Sequence, residues 1–251
     1  IADASGVGPG DTAFEVGPGD GALTRPLAER AGRVLAVEVD PLRADRLERE
    51  LVEIGNVRLL RGDVLEKSFG EWLADGGLSA PAVLVSNLPY NVATPILTRA
   101  MEEEGTFTRA VATVQKEVAR RFCAAPGSSD YGYLSVRTAA FARARVLFDL
   151  APGAFRPPPR VKSSVVELVP RAPALDPETR GRALALASLA FRYRRKTLVN
   201  ALSSAAGRGE VEGALEELQR GPMARAEELS LADYLALATR LDARPIAVAP
   251  R

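Results

Sequence analysis

An amide, a prolyl turn and an aromatic ring follow a short apolar run in the stretch Ser-Asn-Leu-Pro-Tyr, residues 86–90. The run from Ala82 to Ser86 is typical of a buried strand. Pro89 then prevents either a strand or a helix from continuing. Asn87 and Tyr90 are therefore expected at the carboxyl end of a strand, which is where open α/β sheets bind ligands.

These residue types suit a reaction at the exocyclic amine of a nucleobase. Such an amine is a poor nucleophile because its lone pair is delocalised into the ring. The side-chain oxygen of Asn87 and the backbone carbonyl of Leu88 are able to accept its two N–H groups and to stabilise the positive charge that develops. Tyr90 is expected to stack on the base, and Phe155, in the proline-stiffened loop 151–160, is expected to cover its other face. The alternatives are an ordinary turn at residues 87–90 and a core position for Phe155.

A glycine-rich segment near the start of the chain predicts a second ligand. Gly17, Gly19 and Gly21 follow an apolar strand, and Glu15 stands two residues before the first of them. Glycines at such a point let a ligand approach the backbone closely. The Glu-x-Gly-x-Gly pattern resembles the S-adenosylmethionine loop of Rossmann-like methyltransferases, whose sulfonium and ammonium groups suit a nearby carboxylate. Taken alone, the segment is also compatible with a structural turn.

Acidic residues at the ends of the next two strands support the same ligand. Glu38 lies 21 residues after Gly17, where a carboxylate accepts both hydroxyls of a ribose. Asp63, followed by Val64, is well placed to accept from an adenine amino group. Asp40 fits helix capping better than ligand binding. We therefore predict that Glu15, Gly17, Gly19, Glu38, Asp63 and Val64 bind S-adenosylmethionine.

The elements that position these residues alternate between strand and helix. The pattern favours a parallel sheet with helices on both faces, that is, a Rossmann-like methyltransferase fold with a mostly parallel seven-stranded sheet. The predicted strands are Thr12–Val16, Val34–Val39, Val57–Leu60, Ala82–Ser86, Ala110–Val114, Val146–Leu150 and Val165–Val169. The predicted helices of this part are Gly21–Ala31, Pro41–Glu53, Lys67–Ala74, Thr94–Glu104, Lys116–Cys123 and Leu134–Ala142.

The sequence changes character after residue 170. Residues 170–177 have the composition of a linker, and the remainder is rich in Ala, Leu, Glu and Arg at helical spacing. We predict a cofactor-binding catalytic domain over residues 1–170 and a small all-helical domain over residues 171–251 that contributes to nucleic-acid binding.

Charge is distributed unevenly along a chain whose formal net charge is +1. Residues 137–200 hold 13 Lys and Arg against 4 Asp and Glu, a net charge of +9, so the remainder is acidic. This asymmetry favours one face that meets a polyanion, although a solvated basic surface is the alternative. Within this region Arg192, Arg194, Arg195 and Lys196 are the candidate phosphate contacts.

Composition excludes several classes of protein. The chain has one cysteine, Cys123, and no histidine, which excludes an internal disulfide and argues against a structural zinc site; we expect no metal. No apolar run approaches the roughly 18 residues of a membrane span. We expect a cytoplasmic monomer without a membrane partner.

Together these motifs resemble the ribosomal RNA adenine N6,N6-dimethyltransferases of the KsgA (RsmA) type over nearly the whole chain. The resemblance also covers Gln115–Ala119, Tyr131–Gly132, Ala154–Val161, Ser164 and Arg194–Leu198 with Asn200. It implies transfer of four methyl groups to two adjacent adenosines near the 3′ end of small-subunit (16S) rRNA, within an immature particle, and a role in ribosome biogenesis and rRNA processing. It also implies that Gly17, Glu38, Asp63 and Asn87 contact the cofactor. Members carry a Gly-Gln-Asn-Phe-Leu-like segment upstream, and Ile1–Ser5 looks like the end of a helix, so we expect residues before Ile1.

Three other functions are compatible with parts of the sequence. An Erm-type enzyme dimethylates an adenosine of large-subunit rRNA, but Leu88 and residues 93–95 and 194–196 favour the KsgA type. DNA adenine and protein-glutamine methyltransferases usually carry a second proline where Leu88 stands. A ribosome-assembly factor with little catalysis is the third alternative, and intact Asn87 and Tyr90 argue against a dead site.

Overall fold

One sheet of seven strands dominates the first part of the computed structural model, which describes residues 1–155, 158, 161–172 and 174–241. The strands are β1 (Thr12–Val16), β2 (Arg33–Glu38), β3 (Val57–Arg61), β4 (Ala82–Asn87), β5 (Phe107–Gln115), β6 (Ala142–Leu150) and β7 (Ser163–Pro170). Their order is β3-β2-β1-β4-β5-β7-β6. Strands β1 to β5 are parallel, and the two last strands pair antiparallel.

The connections between the parallel strands place helices on both faces of the sheet. The helices of this part are α1 (Ala2–Ser5), α2 (Thr24–Ala28), α3 (Pro41–Glu50), α4 (Phe69–Asp75), α5 (Ala93–Glu102) and α6 (Lys116–Cys123). From β1 the chain moves outward to β3, then returns to β4 beside β1 and moves the other way. Because crossovers are right-handed, this reversal puts α2 and α3 on one face and α4 and α5 on the other. The fold class predicted from the sequence is confirmed.

Three phenylalanines anchor the core of this sheet. Phe14 of β1, Phe69 of α4 and Phe107 of β5 are fully buried or nearly so. Their ring centroids lie 5.1–5.7 Å apart in edge-to-face arrangements, a geometry that adds to the hydrophobic gain of burial. These contacts fix β1, and therefore the loop that follows it, against its neighbours.

The second compact unit is helical and has a core of its own. It contains α7 (Tyr133–Phe141), α8 (Pro177–Arg192), α9 (Leu198–Leu202), α10 (Arg208–Glu217) and α11 (Leu231–Arg240). Two tyrosine hydroxyls inside it donate to backbone carbonyls, Tyr131 to Leu229 at 2.8 Å and Tyr234 to Ala226 at 3.0 Å. Burial with a satisfied hydroxyl makes each ring a stable anchor for the surrounding helices.

The boundary between the units differs from the sequence-based division at one place. Residues 1–120 and 142–170 form the first unit, whereas residues 121–141 group with the helical unit rather than with the catalytic part. The reason is packing, because Tyr131 and Val136 of this segment belong to the same apolar cluster as Leu186 and Leu237. The other break between the units lies between Pro170 and Arg171.

Several elements begin at residues other than those the sequence predicted, and α2 and β6 show two physical reasons. Helix α2 covers only Thr24–Ala28 of the predicted Gly21–Ala31, because Gly21 adopts a φ of +76°, which a right-handed helix does not allow. Strand β6 begins at Ala142 rather than Val146, since residues 142–145 pair with residues 167–170 of β7. Pairing between strands therefore extends β6 back to the end of the helix predicted over Leu134–Ala142.

Among the described residues, no helix is long and apolar enough to cross a membrane. The same part of the chain holds no group of three or more Cys, Asp or Glu side chains arranged to bind a metal ion.

Candidate active site

The loop after β1 is built from glycines in left-handed conformations. Gly17 and Gly19 have φ values of +65° and +55°, which side chains rarely tolerate. The Gly17 N–H donates to the Val37 carbonyl of β2 at 2.9 Å. A Cβ added at Gly17 would lie 3.9 Å from the ring of Pro89, so the loop passes beside the segment after β4. The loop thus exposes backbone at the point where the sheet reverses direction, as a ligand site requires.

Glu38 ends β2 and is held by that same loop. Its Oε2 accepts from the Gly19 N–H at 3.0 Å and its Oε1 from the Asp40 N–H at 3.0 Å. The residue is buried, and an ionised carboxylate has about four acceptor positions, so capacity remains for two hydroxyl donors. Asp40 itself accepts from Leu42 and Arg43 and caps α3. Asp40 is therefore a helix cap, and ribose binding by Glu38 stays a prediction.

Glu15 is the most perturbed carboxyl group of the site. Burial raises its pKa to about 8, the Thr24 hydroxyl lowers it, and the nearby Glu38 carboxylate raises it further. Its Oε2 is buried and makes no hydrogen bond of normal geometry to the described residues. An unsatisfied buried carboxyl oxygen costs free energy, so a cationic or donor ligand at this position would satisfy it.

Asp63 and Val64 follow β3 and present different groups. Asp63 is exposed, and its Oδ1 accepts from the Leu65 N–H at 2.9 Å. Val64 is buried, and its carbonyl accepts from the indole of Trp72 at 3.1 Å. The Gly62 N–H donates to the Glu38 carbonyl at 3.0 Å, which aligns the end of β3 with the end of β2. The predicted ligand residues of three strands therefore converge on one edge.

Asn87 is the last residue of β4, and its side-chain amide is free to bind a ligand. The residue is exposed, and its side chain makes no hydrogen bond to any described residue. Leu88 behind it is buried, with 2% of its surface exposed, which fixes the backbone that carries its carbonyl. The Ser86 hydroxyl donates to the Val16 carbonyl at 2.6 Å and joins the end of β4 to the end of β1. Asn87 is thereby placed beside the glycine loop.

Tyr90 is fixed through its hydroxyl group. The Tyr90 Oη lies 2.6 Å from the Ser163 Oγ at the start of β7, and Ser163 is fully buried. The ring is half-buried, so one part of it faces solvent. A hydroxyl anchored in this way sets the orientation of the ring, as a stacking role requires.

Phe155 lies in the loop between β6 and β7. It follows a 3₁₀ turn over Pro152–Ala154, and its N–H donates to the Pro152 carbonyl at 3.2 Å. The ring is half-buried rather than part of the core. Arg156, Pro157, Pro159 and Arg160 lie outside the described residues, so the pairing of Phe155 with Tyr90 around a base stays a prediction.

The basic stretch from Arg192, the last residue of α8, to Lys196 belongs to the helical unit, and all four of its cations are exposed. Arg194 lies 3.5 Å from the Glu227 carboxylate and 3.5 Å from the Ser129 carbonyl. Lys196 lies over the ring of Tyr193. The side chains of Arg192 and Arg195 make no hydrogen bond or ion pair within the described part of the chain. The four candidate phosphate contacts therefore divide into an internally paired arginine and three cations that face solvent.

A comparison of the whole chain with models of known families gives a match that covers the sheet, the site and the helical unit. The model described as "Ribosomal RNA adenine dimethylase" matches residues 1–243. This chain belongs to the ribosomal RNA adenine dimethylase family.

Named relatives of this dimethylase are similar over almost all of its length. It is 44% identical over 239 residues to "Ribosomal RNA small subunit methyltransferase A" of Rubrobacter xylanophilus, which is 95% of this chain and 88% of the relative. It is 42% identical over 230 residues to the protein of the same name from Xanthomonas axonopodis pv. citri, which is 91% and 85% of the two chains. The predicted family, methyltransferase class and S-adenosylmethionine cofactor are confirmed.

Solved structures resemble the dimethylase over both units. The 23S rRNA methyltransferase ErmE superposes with a TM-score of 0.72 at 27% identity and covers 96% of this chain and 95% of its own. A dimethyladenosine transferase from Plasmodium falciparum superposes with a TM-score of 0.75 at 22% identity, covering 94% and 91%. The second likeness concerns the fold alone.

The residues of the dimethylase fit S-adenosylmethionine in charge and shape. The unsatisfied Oε2 of buried Glu15 offers an acceptor to a cationic group, and the glycine loop leaves space above its backbone. Glu38 keeps acceptor capacity for ribose hydroxyls, and Asp63 is exposed at the next strand end. When bound, the cofactor supplies an activated methyl group.

Two serines of the dimethylase site have positions that the sequence pattern did not predict. Ser86 joins β4 to β1, and Ser163 orients Tyr90. Each is a hydroxyl residue with no exposed surface near one end of its strand. Such a residue needs a hydrogen-bond partner when buried, and this is the signal that identifies it.

Proposed function

We propose that the chain dimethylates the N6 amino groups of two adjacent adenosines near the 3′ end of small-subunit rRNA, within an immature small-subunit particle. The observation that carries the proposal is the available Asn87 side chain at the end of β4, beside the glycine loop and one residue before the buried Leu88. The higher identity to small-subunit methyltransferases than to ErmE supports the choice of subunit.

The residues of the site act by accepting hydrogen bonds and by positioning. In the first transfer to each adenosine, the Asn87 side-chain oxygen and the Leu88 carbonyl accept the two N–H groups of the adenine amine; in the second transfer one N–H group remains to be accepted. Acceptance of both favours a pyramidal nitrogen whose lone pair points toward the methyl group. The nitrogen would gain its bond to the methyl carbon as the bond between that carbon and the sulfonium sulfur of the cofactor breaks. The same two acceptors would stabilise the positive charge that the nitrogen gains, until one of its protons is released to solvent. No general base is needed before this bond forms.

Stacking holds the base in position. Tyr90, oriented by Ser163, presents its ring to one face of the adenine, and Phe155 presents its ring to the other. An aromatic face also attracts the positive charge that develops on the amine. Phe155 lies in the loop that connects β6 to β7. Tyr90 follows β4 but is hydrogen-bonded to Ser163, the first residue of β7. The same pair of antiparallel strands therefore helps to position both rings.

The RNA is held by the exposed cations of the helical unit. Arg192, Arg195 and Lys196 contact phosphates, which position the RNA without reading its sequence. We further propose that the protein acts as a monomer in the cytoplasm. Size-exclusion chromatography with light scattering tests the monomer, and a stable dimer would contradict it.

Methyl transfer from labelled S-adenosylmethionine tests the proposed substrate. The expected result is label in the RNA of immature small subunits, with much less in large subunits and in naked rRNA. The fold similarity to ErmE makes the large subunit the relevant alternative. Label confined to large-subunit RNA would replace the proposal with that activity, and no label in any RNA, despite tight binding to small subunits, would indicate an assembly factor.

A further inference from the structure

An aromatic ring stands among the exposed cations of the helical unit. Tyr193 directly follows α8, and 41% of its surface is exposed. Arg192 precedes it and Arg195 lies two residues after it, both exposed. An exposed aromatic side chain that interrupts a basic stretch has the composition of a single-stranded nucleic-acid surface, in which rings stack on bases and cations contact phosphates.

The backbone around Tyr193 is fixed rather than loose. Its N–H donates to the Ala190 carbonyl at 3.2 Å, and its carbonyl accepts from the Lys196 N–H at 2.7 Å. The next helix begins at once, with Thr197 as its cap and buried Leu198 bonded to the Ala224 carbonyl at 2.8 Å. The turn between α8 and α9 therefore presents its side chains from a rigid base, which reduces the entropic cost of binding.

A cation holds the Tyr193 ring in place. The Lys196 ammonium lies 4.8 Å from the ring centroid, within the range of a cation–π contact. A lysine over one face orients the ring and leaves its exposed part directed to solvent. Arg194, in contrast, contacts Glu227 and Ser129 inside the unit. The turn thus has one arginine that stabilises the unit and a ring with three cations that face outward.

We propose that Tyr193 is a stacking site for an unpaired nucleotide of small-subunit rRNA, with Arg192, Arg195 and Lys196 on the phosphates that flank it. The inference rests on the proposed function and adds a base contact to a surface whose other contacts are electrostatic. It assigns to the helical unit a binding site for single-stranded RNA that is separate from the residues that hold the target adenine.

Two variants at residue 193 separate stacking from charge. Tyr193→Leu keeps an apolar side chain without a ring, and Tyr193→Phe keeps the ring. Binding to immature small-subunit particles is measured over a salt series. Because stacking on an aromatic ring contributes roughly 1–3 kcal/mol per base, Tyr193→Leu should weaken binding roughly fivefold to a hundredfold, and Tyr193→Phe should bind like the wild type. The weakening should be the same at every salt concentration, since no counterion is released by an uncharged ring.

The outcomes that overturn the stacking site are distinct. Unchanged binding by Tyr193→Leu, or equal weakening by the Phe variant, would remove the ring from the interface. A flatter salt slope in Tyr193→Leu would mean that the ring only positions Lys196. If Tyr193→Leu melts at a lower temperature, ultraviolet crosslinking of the wild-type protein to the particle decides, and absence of a crosslink at Tyr193 contradicts the site. Wild-type protein that fails to methylate small subunits would instead contradict the proposed function.

Discussion

A single carboxyl group, that of Glu15, shows how the site balances stability against binding. Burial raises its pKa from 4.5 to about 8, so the folded protein retains a proton that the unfolded chain releases. A group of this kind stabilises the folded state below pH 4.5 relative to higher pH, and the stabilisation is lost as the pH rises to about 8. The site thus keeps a carboxyl group whose ionisation is favoured only when a cation arrives.

The variant Glu15→Gln tests this pH dependence. The amide has nearly the same size and remains neutral, so its stability should not fall with pH in this interval. Between pH 5 and pH 8 the wild type should lose up to roughly 1.4 kcal/mol per pH unit relative to the variant. Denaturant unfolding at several pH values measures the difference, and parallel stability curves for the two proteins would show that Glu15 is not the group responsible.

Glu38 connects the ligand to the backbone. Glu38→Ala should weaken S-adenosylmethionine binding at least tenfold, because it removes the ribose acceptor and leaves the Gly19 N–H without its partner. Binding to small-subunit particles should change little. Calorimetry with the cofactor and a separate particle-binding assay measure the two effects. Asp40→Ala is the matched control, since it should lower stability through removal of the α3 cap with the cofactor affinity retained.

At the scale of elements, the arginines at the turn between α8 and α9 have two roles: Arg194 pairs within the helical unit, whereas Arg192 and Arg195 are predicted to contact phosphates. Replacing Arg192 and Arg195 together by alanine should weaken particle binding and flatten the log–log salt slope by roughly 0.7–0.9 for each phosphate that is no longer neutralised. Cofactor affinity should stay the same. The melting temperature should also hold, because neither side chain pairs with a described residue.

Arg194→Ala is the control from the same turn. Its side chain lies beside the Glu227 carboxylate, of which one oxygen is buried without a hydrogen bond to the described residues. Its removal should lower the melting temperature of the helical unit more than it changes the salt slope. The opposite pattern, an unchanged slope for the Arg192 and Arg195 pair and a flatter one for Arg194→Ala, would reverse the assignment.

Elements are predictable where one local signal dominates. The strand ending at Asn87 is marked by its apolar run and by Pro89, and α3 by the cap at Asp40 and the proline after it. The start of β6 is not predictable in this way, because residues 142–145 pair only with a strand that lies more than 20 residues later. The hydrogen-bond partner of Tyr90 is not predictable from the sequence for the same reason, since Ser163 is 73 residues away in the chain.

At the scale of the whole molecule, the residues predicted to bind ligands are divided between two units. The sheet unit holds the residues predicted to bind the cofactor and the adenine, and the helical unit carries Tyr193 and the outward-facing cations. Residues 121–141 join the helical unit because Tyr131 and Val136 complete its core. The chain therefore passes between the two units at residues 120–121, 141–142 and 170–171.

The most direct test of the proposed reaction compares wild-type protein and Asn87→Ala on immature small-subunit particles with labelled cofactor. For the wild type we expect label on two adjacent adenosines near the 3′ end, mapped by reverse-transcription stops. For the variant we expect transfer to fall by more than about tenfold, at least 1.4 kcal/mol of transition-state stabilisation, with melting temperature and particle binding retained. Transfer by Asn87→Ala within tenfold of the wild type would contradict the role of this amide in the reaction.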